Sequence, residues 1–358
     1  MKTSIKKILL TGGGTAGHVT PNLALIPGLK AAGFDVHYAG THSGMERGLV
    51  EKAGLPYHCI SAGKLRRYFD LKNFTDLFRI KIGFIQSLFL LIKLRPAVVF
   101  SKGGFVSCPV VWAAWLCRVP AVIHESDITP GLANRLSMPF VRKICFSFPE
   151  TEARLPASKR VMTGLPVREG LFNGDAARGR ELCGFDDGKP VIAVTGGSLG
   201  ASAVNEAVRG GLNRLLDDFN VCHICGKGNM APGGRKGYRQ FEYAGEELPD
   251  LFAMADIVIS RAGATTLFEL LALRKPALLI PLGTAASRGD QILNAESFEK
   301  LGYCKVLSQE GLTGAILAES VKRFFDEDKD RCIDAMKRTE SVRAVDMVLD
   351  VIKRLAEL

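Results

Sequence analysis

Short apolar runs alternate with helix-period segments along the whole chain. In the first half the runs fall at residues 5–10, 36–39, 57–60, 97–101, 121–123 and 143–148. In the second half they fall at 191–194, 221–224, 257–260, 277–281 and 304–307. Strands that alternate with helices predict parallel sheets covered on both faces. Ligands of such sheets bind beyond the carboxyl ends of the strands. The pattern pauses at Thr163-Gly164-Leu165-Pro166-Val167-Arg168, and a polar, glycine-rich stretch follows. Pro166 fixes its own φ and pushes Leu165 out of helical conformation, which suits a domain boundary. At 358 residues the chain is too long for one ordinary core. The expected division is therefore residues 1–165 and 166–340. Val345, Val348, Leu349, Ile352 and Leu355 form an amphipathic helix within 341–358 that is expected to pack back on the first domain.

Each predicted domain opens in the same way. Ile8-Leu9-Leu10 leads into Thr11-Gly12-Gly13-Gly14-Thr15-Ala16-Gly17-His18 and then a helix body at 23–30; Val191 to Val194 leads into Thr195-Gly196-Gly197-Ser198-Leu199-Gly200-Ala201. Glycines at a strand-to-helix turn let backbone N–H groups close on a bulky group, and the helix N-terminus favours an anion. The echo implies two similar α/β domains facing each other across a cleft. His18 stands at the mouth of the first loop, where a positive helix end would hold its imidazole neutral and able to accept a proton. Two more first-domain loops fall at strand ends, Ser101-Lys102-Gly103-Gly104-Phe105 and His124-Glu125-Ser126-Asp127. His18 and Glu125 each admit two readings, proton acceptor or loop cap.

Charge changes the picture at one place. Residues 64–102 carry nine Lys or Arg (Lys64, Arg66, Arg67, Lys72, Arg79, Lys81, Lys93, Arg95 and Lys102) against Asp70 and Asp76, most of a net charge of +10. Phe74, Phe78, Ile82, Ile85 and Phe89 recur there at helical spacing. Lys81, Gln86, Ser87 and Lys93 break the apolar run, leaving it too short to span a bilayer. A helix lying on an anionic membrane fits this composition, as does a buried crossover helix with a basic rim. The nine cysteines show no disulfide framework and the N-terminus has no apolar signal core. The expected setting is therefore the cytosolic side. Cys222-His223-Ile224-Cys225 lacks a second ligand pair, so it reads as core.

Gly12, Gly14 and Gly17 satisfy the G-x-G-x-x-G spacing of dinucleotide sites, which makes a nicotinamide or flavin enzyme the rival class. That fingerprint requires an acid after the second strand, and here the strand ends Tyr38-Ala39-Gly40-Thr41 with Asp35 before it. No P-loop spacing occurs. In the second half, Ser260-Arg261-Ala262-Gly263-Ala264-Thr265-Thr266 makes another strand–glycine–helix junction, with Glu269 placed to clamp a ribose. Ser198 and the amides after Gly197, with Arg168, would receive a phosphate.

These residues resemble the MurG family of N-acetylglucosaminyltransferases. The likeness runs nearly end to end: Gly-Gly-Thr-x-Gly-His-x-x-Pro at 13–21, Gly-Gly-Phe-Val-Ser at 103–107, His-Glu at 124–125, Gly-x-Pro-Val-Arg at 164–168, Gly-Gly-Ser-x-Gly-Ala at 196–201, Arg-x-Gly-Ala at 261–264 and Asp-Gln-x-x-Asn-Ala at 290–295. The resemblance implies two Rossmann-like domains of the GT-B architecture. It also implies an inverting, metal-independent transfer from UDP-N-acetylglucosamine to the muramoyl C4 hydroxyl of lipid I, making lipid II for peptidoglycan. It implies no cofactor and no nucleic-acid partner, and a peripheral position on the anionic inner leaflet of the cell membrane.

By the same resemblance, Ser198 and Arg168 hold phosphates and hinge, Ala264, Thr265 and Thr266 contact phosphate and ribose, and Glu269 takes the ribose hydroxyls. Asp290 and Gln291 reach the sugar, and the uracil edge falls to Gly245 or its neighbours. Thr15, Ala16 and Gly17 face the donor diphosphate and the acceptor. Gly14, Gly103, Gly104, Ser126 and Asp127 form the acceptor-side loops, with His18 as base and Glu125 as orienter or substitute. The chain departs from the common family pattern at Phe105, where many members carry Tyr, at Ser126-Asp127, where they carry Gln-Asn, and at Asp290. Other enzymes of this build, a glycolipid synthase or a UDP-N-acetylglucosamine epimerase, and a non-catalytic nucleotide-sugar binder are the alternatives.

Overall fold

The computed structural model describes residues 5–63, 72–197, 200–283, 289–339 and 343–357, with residues 72–75 and 77 described in the backbone alone. The chain divides into two units, Met1–Arg168 with Arg343–Leu358, and Glu169–Val342.

The first unit is built on a seven-stranded sheet ordered β3-β2-β1-β4-β5-β6-β7. Its strands are β1 (Lys7–Thr11), β2 (Asp35–Gly40), β3 (Tyr57–Cys59), β4 (Val98–Ser101), β5 (Ala121–Glu125), β6 (Lys143–Phe146) and β7 (Arg160–Met162). All neighbours are parallel, so helices must make the crossovers. They are α1 (Thr20–Ala31), α2 (Met45–Lys52), α3 (Lys72–Leu94), α4 (Ser107–Leu116) and α5 (Leu132–Ser137). Strand order reverses between β1 and β4, which makes their carboxyl ends the switch point.

The second unit repeats the plan with six parallel strands ordered β10-β9-β8-β11-β12-β13. These are β8 (Val191–Thr195), β9 (Asn220–Ile224), β10 (Tyr238–Phe241), β11 (Ile257–Ser260), β12 (Ala277–Leu279) and β13 (Cys304–Val306). Its helices are α6 (Ala176–Cys183), α7 (Ser202–Asp218), α8 (Leu248–Met254), α9 (Ala264–Ala272), α10 (Asp290–Lys300), α11 (Gly314–Arg323) and α12 (Lys329–Lys337). The switch point lies between β8 and β11. β7 and β10 were not expected from the sequence. Both are short edge strands with half-exposed faces, so neither shows a continuous apolar run. Cys222 and Cys225 are fully buried in the core beside β8.

The last helix, α13 (Ala344–Ala356), belongs to the first unit. Its Val348, Leu349, Ile352 and Leu355 pack with Leu25, Ile26 and Leu29 of α1 over β1 and β2. Gly28 is what lets the two helices approach, since a Cβ there would lie 2.3 Å from Leu349 Cδ1. Lys6 Nζ donates to the Ala356 carbonyl at 2.9 Å, a cation placed on the negative end of α13.

On the other face of the sheet, α3 buries Leu91 and Leu94, with Phe84 and Leu88 partly buried, against β1, β4 and α4. Gly83 brings this helix onto the Ser61 carbonyl. A second apolar stripe points outward: Phe78 is 67% exposed and Phe89 70%, with Ile82, Ile85 and Ile92 between and beyond them. The expected basic rim needs one correction, because Lys102 is 1% exposed at the end of β4 and contributes nothing to the surface. Arg66 and Arg67, and the side chain of Phe74, lie outside the described residues. Among the described residues, no helix is long and apolar enough to cross a membrane.

Because Ile352 is fully buried between α1 and the sheet, Ile352→Ala should cost about 2–4 kcal/mol of stability. A lowered urea midpoint for the first unit is the measurement that checks it.

Candidate active site

In the first unit, two glycine loops meet at the switch point. Gly14, Gly103 and Gly104 all have positive φ. A Cβ on Gly104 would lie 2.3 Å from the Gly13 carbonyl oxygen, and one on Gly12 would lie 2.5 Å from that of His18. Only backbone fits there. Tyr38, fully buried in β2, donates its hydroxyl to the Gly12 carbonyl at 2.9 Å. Asn22 of α1 donates to Thr11 O and Tyr38 Oη, which ties helix, loop and strand together. Burial pushes the Tyr38 hydroxyl well above its ordinary range, so it stays a donor.

Beneath the loop lies a carboxylate that sequence reasoning passed over. Glu46, in the first turn of α2, has no exposed surface. It accepts from Thr41 N at 2.9 Å, from Thr41 Oγ1, and from Gly14 N at 3.3 Å. At the end of β2 this acid is thus engaged by the Thr41 amide and hydroxyl and by the Gly14 amide. The signal available was its position, five residues beyond Thr41 at a helix start.

His18 was expected at a helix N-terminus. It sits instead in a short 3₁₀ turn, Ala16–His18, ahead of α1. Its Nδ1 lies 3.0 Å from the Gly13 carbonyl and 3.2 Å from Thr15 Oγ1. A carbonyl only accepts, so Nδ1 carries the hydrogen of this bond. A specific hydrogen bond, more than the helix dipole, sets the tautomer.

Glu125 ends β5 and is buried. Its Oε1 accepts from Ser126 N (2.9 Å) and Asp127 N (3.1 Å), and its Oε2 from Gly131 N (2.9 Å) and Asn134 Nδ2 (2.8 Å). Burial and nearby Asp127 hold the carboxyl above its usual range, and these donors oppose the shift. Four bonds make Glu125 the staple of loop 126–131. Next to it, His124 Nε2 donates to the Gly164 carbonyl at 2.9 Å, and burial drives its pKa well down. Ser126 and Asp127 are half-buried, and Arg168 ends the first of the unit's two segments.

The second unit presents a different switch point. Gly197 and Gly200 turn the chain with positive φ, and a Cβ on Gly200 would lie 2.2 Å from the Cys225 carbonyl. Ser198 lies outside the described residues. After β11, Arg261 is buried and donates to the Ile280 and Pro281 carbonyls, pinning this loop to the end of β12. α9 then starts at Ala264 behind Gly263, with its first intrahelical bond made by Leu267 N–H. The N–H groups of Ala264, Thr265 and Thr266 are therefore the outward donors of a helix N-terminus, an arrangement suited to phosphate. Glu269 lies in the second turn and is mostly buried.

Asp290 and Gln291 open α10 behind Gly289, which has positive φ. Gln291 Oε1 accepts from Leu282 N at 3.0 Å. Asp290 in the first turn complements the helix dipole. Gly245 is exposed, and its N–H is used locally by Glu247 Oε2 at 3.0 Å.

Two doubly wound parallel sheets in one chain, each with glycine-rich loops at its switch point, are the architecture of the GT-B class of glycosyltransferases. Residues 8–146 match the glycosyltransferase family 28 N-terminal domain, and residues 191–353 match the family 28 C-terminal domain. The chain is 56% identical over 353 residues to the UDP-N-acetylglucosamine--N-acetylmuramyl-(pentapeptide) pyrophosphoryl-undecaprenol N-acetylglucosamine transferase of Lachnoclostridium phytofermentans, covering 98% of this chain and 99% of that protein. It is 54% identical to the transferase of the same name from Geobacillus kaustophilus, covering 99% of each. The crystal structure of Acinetobacter baumannii MurG superposes with a TM-score of 0.74 at 25% identity, covering 98% of this chain and 99% of that one. The chain belongs to the MurG family.

Glu125→Gln places an NH₂ among backbone donors and leaves at least one of them without an acceptor. It should lower stability by about 1–3 kcal/mol. Hydrogen exchange should accelerate at the Ser126, Asp127 and Gly131 amides, and unchanged protection there would contradict the staple role.

Proposed function

We propose that this chain transfers N-acetylglucosamine from UDP-N-acetylglucosamine to the C4 hydroxyl of N-acetylmuramyl-(pentapeptide) pyrophosphoryl-undecaprenol, lipid I. The observation that carries this reading is the near full-length identity to transferases named for that reaction, joined to two differently equipped switch points. The second unit holds the donor. Amides at the start of α9 receive the diphosphate, and Thr265 and Thr266 lie beside them. Glu269 takes ribose hydroxyls, the NH₂ of Gln291 and Asp290 serve the sugar, and the Gly245 region receives the uracil. Ser198 and Arg168 complete the phosphate contacts.

The first unit holds the acceptor. Thr15, Ala16 and Gly17 follow Gly14 in the loop that carries His18, and Gly103, Gly104, Ser126 and Asp127 line the neighbouring loops. His18 Nε2 takes the proton of the C4 hydroxyl as that oxygen attacks the anomeric carbon. The bond to the UDP oxygen breaks with inversion, and the leaving diphosphate takes its electron pair onto oxygens facing preorganised amides. Glu125, with four donors on its oxygens, acts as a positioning residue and not as a second base.

The membrane face is the outward stripe of α3. Phe78, Ile82, Ile85 and Phe89 would enter the acyl boundary while Arg79 and Lys81, with Lys93 and Arg95 at the helix end, meet anionic headgroups. This face brings the enzyme to the leaflet that carries its lipid acceptor, on the cytoplasmic side.

UDP release from UDP-N-acetylglucosamine, measured with and without a lipid I analogue and with EDTA as a control, tests the reaction. Release that depends on the acceptor and survives EDTA is expected; acceptor-independent release would favour a different UDP-sugar enzyme. His18→Ala should lower kcat roughly 10²–10⁴-fold with donor KM nearly unchanged, and near-normal turnover would remove His18 as the base. Replacing Phe78 and Phe89 together by Ser should reduce co-sedimentation with anionic vesicles by about tenfold or more without altering turnover of a soluble acceptor.

A further inference from the structure

Lys102 closes β4 and precedes the second glycine loop, yet it is almost wholly buried. Its Cβ would lie 3.3 Å from a Cβ on Gly12, so its stem runs directly under the loop that carries His18. At the far end its ammonium donates to Ser126 Oγ, the first residue after Glu125. The charges and titratable groups facing it are known from each neighbouring element. Glu125 and His124 come from β5, Asp127 from the loop after it, and Cys145 from β6. Burying an ammonium is costly unless opposite charge and acceptors surround it, and here both carboxylates belong to one short segment.

We propose that Lys102 is a positioning residue for the lipid-linked acceptor: its buried ammonium, bonded to Ser126 Oγ and facing Asp127 and Glu125, locks loop 126–131 against the two glycine loops. The loop then presents one fixed surface to the acceptor beside His18, instead of sampling several. This rests on the reading that the first unit holds the acceptor. Lys102 does not touch substrate; it acts through Ser126 and Asp127.

The arrangement carries its own pH signature. Burial lowers the Lys102 ammonium to about 8, against the pull of Glu125 and Asp127. Cys145 is pushed up to about 12 and His124 well down, so neither changes charge in the same window. Below pH 8 the ammonium is present and the loop is locked. As pH rises through 8 it is lost, and the carboxylates lose their counter-charge.

The test uses the full-length enzyme with UDP-N-acetylglucosamine and a lipid I analogue. Lys102→Met keeps the stem and removes the charge. It should raise acceptor KM or lower kcat/KM for acceptor roughly 10- to 100-fold, the worth of one charge-assisted hydrogen bond, while donor KM stays within about twofold. Lys102→Met/Asp127→Asn removes the ammonium and one of the two carboxylates facing it and should recover part of that loss. The alkaline fall of kcat/KM for acceptor near pH 8, expected in the wild type, should be absent from the double variant. Wild-type values for Lys102→Met, or a pH profile identical in wild type and double variant, would overturn the proposal. If Lys102→Met does not fold, the double variant and the wild-type profile decide, and a wild-type profile flat from pH 7 to 9 sinks the idea. A change confined to donor KM would instead count against the placement of the acceptor in the first unit.

Discussion

The first unit depends on a contact that no side chain could survive: the backbone of Gly104 lies against the backbone of Gly13. With a Cβ on Gly104 only 2.3 Å from the Gly13 oxygen, any other residue would force the loops after β1 and β4 apart. Gly104 also has a positive φ, which adds a second reason for glycine. Because the loops are closed on each other, the Gly13 carbonyl is held in place to receive His18 Nδ1–H. The His18 ring is thus oriented by main chain, which has no rotamers to lose.

Buried ionisable side chains near this contact include Glu46, Lys102 and Glu125. Glu46 and Glu125 are neutralised by backbone and side-chain donors, and Lys102 by a hydroxyl and two facing carboxylates. Such groups add little net stability, since desolvation offsets most of what the pairing returns. Their effect is on uniqueness. Each one penalises a loop conformation that breaks its bonds, so three flexible loops share a single arrangement. Preorganisation of this kind would serve the acceptor site proposed for the first unit, because a loosely held base loses the advantage of proximity.

The interior strands were legible in the sequence because each is covered on both faces and so reads as an apolar run. The edge strands β7 and β10 were not, since Arg160 and Met162, and Arg239 and Gln240, face partly outward. The glycine loops were legible through composition, and their meeting followed from strand order. Glu46 and Lys102 were not legible. A charged residue in sequence defaults to the surface, and only the positions of Gly14, Thr41 and Ser126 in space turn these two inward. The outward stripe of α3 was visible as helical spacing. What the sequence left open was which apolar residues face the sheet, and Gly83 decides that by letting one face alone press onto Ser61.

The two units share one strand plan but dispose of their loop amides differently. In the first, the amide of Gly14 is already bonded to Glu46, a carboxylate buried directly beneath the loop. In the second, the first-turn amides of α9 carry no intrahelical bond, and the cation of the preceding loop, Arg261, is turned away onto the carbonyls after β12. The start of α9 therefore offers amides and a helix dipole of the kind that suit a phosphate. That difference, and not the glycine spacing the two loops share, is what distinguishes the two switch points.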